Sequence, residues 1–146
     1  MKNIDKIMTI YLEEENMAAQ NYIECQETYQ KQLHLLDELR RYESDYQKNF
    51  LDTASAGVGI DKIKNFNRFI GKLHTLIDKQ SGNVATEKKN LDAAMQIWQQ
   101  KQLERKRLTK LDEKMTLRQR HIQALKEQKQ YDEIALRQHR RNESRD

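Results

Sequence analysis

Apolar and aromatic side chains recur at alternating spacings of three and four through the first fifty residues. Positions 4, 8, 11, 15, 18, 22, 25, 29, 32, 36, 39, 43, 46 and 50 collect Ile4, Met8, Tyr11, Ala18, Tyr22, Cys25, Tyr29, Leu36, Leu39, Tyr46 and Phe50. Glu15, Gln32 and Glu43 are the exceptions. On an α-helix this spacing draws one narrow apolar stripe, the seam of a coiled coil. Composition narrows the choice further. The 146 residues hold no proline and four glycines, where an average chain would hold about seven and ten. Sandwiches, barrels and α/β sheets need frequent tight turns, and tight turns draw on Gly and Pro. Hydrophobic residues reach only 36% and mean hydropathy is -1.07, too little apolar surface for a globular core of this size. The expected fold is all-α, with long helices that bury a seam.

One segment breaks the pattern. Asp52-Thr53-Ala54-Ser55-Ala56-Gly57-Val58-Gly59-Ile60-Asp61 is small and polar, and reads as a loop with Asp61 or a near neighbour capping a second helix. Helix one is expected over about 4–51, the loop over 52–60 and helix two over about 61–140, in a single coiled-coil domain. Gly82, between Ser81 and Asn83, is a weaker break and a site for a kink. After the loop the seam collects Ile63, Phe66, Ile70, Leu73, Ile77, Val84, Leu91, Ala94 and Trp98, interrupted by Gln80 and Glu87. It then thins through Lys101, Arg105 and Asp112, while Leu108, Leu111, Met115, Ile122 and Leu125 resume it in a register shifted by three. A short loop returns the second helix antiparallel to the first. This sets Ile4 near Thr109 and leaves roughly thirty residues, about 45 Å of helix, overhanging. A lone charged helix is marginal in water, so the overhang is expected to fray unless a partner holds it.

The chemistry of catalysis is missing from this pattern. A single cysteine, Cys25, forbids an internal disulfide and fits a reducing cytoplasm. On the seam it reads as a structural thiol. His34, His74, His121 and His139 lack metal-ligand spacing. Gly57-Val58-Gly59 carries no other part of a phosphate loop. No catalytic residue, cofactor site or metal site is expected. The apolar run Ile7 to Leu12 is too short for a secretory signal, and no stretch reaches the ~20 apolar residues that span a bilayer. Direct membrane insertion is not expected.

Binding is the remaining possibility. Residues 1–100 hold 13 Lys/Arg and 15 Asp/Glu, whereas 101–146 hold 14 and 8. The basic character belongs to the last third. Near the loop, Leu35, Tyr42, Phe69 and Leu76 lie off the strict seam, flanking Leu39, Tyr46 and Leu73. They either widen a thin core or form an exposed aromatic patch for a protein partner. Trp98, on the seam, reads as core. Ile4, Ile7, Met8 and Ile10 lie at the same end as the unpaired Leu108 to Leu125 stretch, and together they make a composite plug.

Three segments carry a family resemblance: Leu39-Arg40-Arg41-Tyr42-Glu43-Ser44-Asp45-Tyr46, Phe69-Ile70-Gly71-Lys72-Leu73, and Gln128-Lys129-Gln130-Tyr131-Asp132-Glu133-Ile134-Ala135. Ala94 to Leu108, with Trp98, fits as well. The whole resembles the FliJ family, cytoplasmic stalk proteins of the flagellar type III export apparatus. The resemblance implies an antiparallel two-helix coiled coil whose termini insert into the ring of the export ATPase, FliI, and promote its assembly and activity. It implies contact with the export gate membrane protein FlhA and with export chaperones. It thus implies a cytoplasmic protein, peripheral at the inner membrane through that apparatus. The matching gate-binding positions are Leu39, Tyr42, Tyr46, Phe69, Leu73, Leu76 and Gln80. Hairpin geometry puts the ATPase contacts among Ile4, Ile7, Met8, Leu111, Met115, Arg118, Ile122 and Leu125. The alternatives are the equivalent stalk of a virulence injectisome, a basic coiled coil that binds nucleic acid, and a plain homodimeric coiled coil. The mixture of eight acids with fourteen bases in 101–146 argues against nucleic acid.

Overall fold

A computed structural model describes residues 3–145. It has two helices, α1 (Asn3–Ala54) and α2 (Ile60–Arg145), joined by residues 55–59, and no strand among the described residues. Both helices run slightly past their expected ends. At the end of α1, Thr53 is still helical rather than opening the loop, and its hydroxyl donates to the Asn49 carbonyl at 2.9 Å. The helix closes by tightening. The Ala56 and Gly57 amides donate to the Thr53 and Ala54 carbonyls at 3.2 and 3.0 Å, and Ser55 Oγ donates to the Asp52 carbonyl at 2.7 Å. Gly57 then takes φ +94°, a left-handed conformation in which a side chain is strained. The first amide bond of α2 runs from Ile63 to the Gly59 carbonyl, so Gly59, two residues before Asp61, stands at the helix entry. Helix α2 passes through Gly82 without interruption.

Contacts divide the chain into two units. The first is residues 13–101, containing the loop and the facing stretches of both helices. There the helices are antiparallel: Tyr46 meets Phe69, Gln32 meets Gln80, and Glu14 meets Lys101. Every seam position expected in α1 within this unit is buried or half-covered. In α2 the same holds from Phe66 to Lys101, and Ile63 is the one seam residue left exposed. The core is Leu36, Leu73 and Ile77, with Leu39, Phe69 and Val84 packed against it. Further along, Ala18, Leu91 and Ala94 are buried. Small residues there let Trp98 stack on Tyr22 with centroids 5.3 Å apart, which places the lone tryptophan in the interface as expected.

The second unit joins the start of α1, as far as Leu12, to α2 from Gln102 onward. Ile4, Met8 and Tyr11 are half-covered, as are Arg105, Leu108, Thr109, Asp112 and Thr116. Two expectations need correcting here. Thr109 meets Met8, with its hydroxyl 3.9 Å from the sulfur, so the register differs by about one turn from a pairing with Ile4. Nor does the seam shift by three: Leu111 is exposed, and Arg105, Leu108 and Asp112 stay half-covered in the original register, before cover passes from Met115, which is exposed, to Thr116. Arg105 is half-covered, and because the aliphatic stem of an arginine can lie along apolar surface, a charged residue need not interrupt the stripe. From residue 117 to 145 every position is exposed, yet α2 stays helical to Arg145.

Candidate protein-docking surfaces

Five aromatic rings gather on the loop side of the first unit. Phe50 stacks on Phe66 at 3.8 Å between centroids, and Phe66 lies parallel to Tyr46 at 5.6 Å. Tyr46 also meets Phe69 at 4.4 Å. Tyr42 completes the group, 6.3 Å from Tyr46 and edge-on to Phe69 at 6.1 Å. The 3.5-residue spacing brings Tyr46, Phe50 and Phe66 to the interface, and Phe69, beside the seam, joins them. Tyr42 lies one helical turn before Tyr46, at the margin of that interface, so its ring packs on one edge and faces water on the other. It is 53% exposed, and Leu76 in α2 is 54% exposed. Leu35 is also exposed. The off-seam residues therefore split. Phe69 widens the core, while Leu35, Tyr42 and Leu76 remain on the surface. Beside the rings, a shallow groove of about 400 Å³ is floored by Phe50 and Phe66 and edged by Asn49, Asn65 and Lys62.

The expected gate-binding residues divide by depth. Tyr42 and Leu76 are outside, and Leu39, Tyr46 and Phe69 are half-covered. Leu73 and Gln80 lie beneath them, 4% and 6% exposed, between the helices. Gln80 donates from Nε2 to both the Gln32 backbone carbonyl and the Gln32 side-chain oxygen, each at 2.8 Å. Its own carbonyl accepts from Asn83 Nδ2 at 3.2 Å. A partner could reach Gln80 only after the helices part.

The second unit holds all eight expected ATPase contacts. Ile4 and Met8 are half-covered, and Ile7, Leu111, Met115, Arg118, Ile122 and Leu125 are exposed. Ile10, expected in the composite plug, is exposed too, and others were missed: Leu12, Leu103, Leu117, Tyr131, Ile134 and Leu136 are exposed in the same unit. From residue 117 on the helix is exposed on every side, and no stripe there is privileged. Among the described residues, no group of three His, Cys, Asp or Glu is placed to hold a metal, and no helix is long and apolar enough to cross a membrane.

The family described as "Flagellar FliJ protein" matches residues 1–144. The chain belongs to the flagellar FliJ family. FliJ membership makes it a component of the flagellar export apparatus and sets it among structural export proteins. A relative named flagellar FliJ protein, from Buchnera aphidicola subsp. Acyrthosiphon pisum (strain APS), is 25% identical over 101 residues, covering 69% of this chain and 68% of its own. No solved structure matches the chain.

Proposed function

We propose that this FliJ-family chain is the stalk of the flagellar export ATPase, with the second unit as its ATPase-binding part. One observation carries the proposal. The second unit presents Ile7, Leu111, Met115, Ile122 and Leu125 to solvent, with Arg118 and Lys126 on the same side of α2 as Leu111 to Leu125 and Arg120 on the opposite side. Water alone gives an apolar and basic helix face of this kind no reason to persist. An acidic ring lining would bury the apolar groups and pair with the cations. Binding promotes ring assembly only to the extent that the assembled ring is bound more tightly than free subunits. In this reading Ile4, Ile7, Met8, Leu111, Met115, Arg118, Ile122 and Leu125 contact FliI. The ring patch of the first unit, with Tyr42 and Leu76 outermost, contacts the export gate protein FlhA, and export chaperones dock on the same apparatus. The protein is then peripheral at the inner membrane through these partners.

The test is ATP hydrolysis by the cognate FliI with and without this protein. The expected result is stimulation that falls at least several-fold when Arg118, Arg120 and Lys126 are all replaced by Glu. No stimulation by the unaltered protein would refute the ATPase role, and full stimulation by the charge-reversed protein would remove its electrostatic basis.

A further inference from the structure

The seam of the first unit is interrupted by an amide pair, half-covered Gln32 in α1 and buried Gln80 in α2. We infer that this pair sets the register between the helices and so acts as a positioning pair for the aromatic patch; only the link to the patch rests on the gate-binding reading above. Gln80 is the one buried polar residue among the described residues, and no buried side-chain nitrogen or oxygen there lacks a hydrogen-bond partner. Its amide is fully engaged: Nε2 on two Gln32 oxygens at 2.8 Å, and Oε1 on Asn83 at 3.2 Å.

Apolar seams tolerate slippage, because Leu packs on Leu equally well one heptad along. A buried polar residue at one seam position removes that degeneracy. After a one-heptad slip, Gln80 would lie opposite Cys25 or Leu39, and Gln32 opposite Leu73 or Glu87. Three of these four offer no amide partner, and a buried amide left unsatisfied is destabilising. The loop is a poor alternative anchor. Leu51, Ile60 and Ile63 beside it are exposed, so the last turn of α1 and the first turn of α2 bury little and can unwind to absorb a slip.

The patch depends on this register, since its members come from different helices. Of the outer residues Tyr42 belongs to α1 and Leu76 to α2, and the Tyr42 ring packs on Phe69 of α2. A heptad slip would separate the Tyr42 ring from Phe69 by about 10 Å. Gln80 therefore affects the patch from beneath, through alignment, without touching a partner.

The experiment places spin labels at exposed Glu38 and Thr75 in a Cys25→Ser background and measures their distance distribution by pulsed electron resonance. The proteins are the full chain and its Gln32→Leu/Gln80→Leu variant, which fills the seam with apolar side chains and stays helical. The expected result is one narrow distance in the parent, and in the variant two or more distances 5–10 Å apart, without loss of helicity or melting temperature. A single unchanged distance in the variant overturns the inference, whatever happens to binding. The same two proteins are titrated with the FlhA cytoplasmic domain. Binding several-fold weaker in the variant supports the link to the patch. A split distance with unchanged binding leaves the register role standing and refutes the link.

Discussion

Residues 73–94 and 121–145 belong to the same helix and are both rich in charge, but different physics holds them. The first stretch buries Leu73, Ile77, Gln80, Leu91 and Ala94 against α1. The second buries nothing. Both stretches are helical throughout, so helix formation itself does not distinguish them. Side-chain burial does, because an isolated helix gains little over water from its own backbone bonds. In the paired stretch, side chains are committed to each other. In the bare stretch, they are available to a partner.

Substitution is the sharpest way to break this comparison. Leu73→Ala removes a side chain that is 4% exposed and is expected to cost about 2–5 kcal/mol, read as a large fall in melting temperature by circular dichroism. Ile122→Ala, at an exposed site, is expected to change stability by less than ~0.5 kcal/mol. Equal effects at the two positions would show that the bare stretch is packed in solution. A smaller effect separates core from contact within the paired unit. Tyr42→Ala loses only partial ring contacts, expected at about 0.5–1.5 kcal/mol of folding stability. If Tyr42 is a central contact for the gate protein, binding falls about tenfold or more, as isothermal titration would read. Undiminished affinity would mark Tyr42 as packing alone.

Much of this was legible from spacing. The 3-4 recurrence located every covered seam position of α1, including polar Glu15, Gln32 and Glu43, because helix geometry fixes which residues face the partner regardless of their chemistry. Spacing could not reveal how deeply each residue sits. Gln80 matched a surface-contact position by resemblance, yet two α1 oxygens hold it between the helices. Nor could it set the register in the second unit. Leu111 looked like seam because it is apolar, but Arg105, Leu108 and Asp112 keep the original face, and one turn on Thr116 is covered in place of Met115. Long polar side chains with apolar stems blur the hydrophobic pattern at such places. The split between Phe69 inside and Tyr42 outside depended on ring packing across two helices, which one helix's periodicity does not encode.

The account rests on the chain folding back on itself, and one cross-link tests that most directly. With Cys25→Ser, cysteines placed at Met8 and Thr109, whose side chains meet at 3.9 Å, should oxidise within a single molecule. The product should migrate as a faster monomer on non-reducing gels, independent of protein concentration. A product found only as a covalent dimer, increasing with concentration, would contradict it.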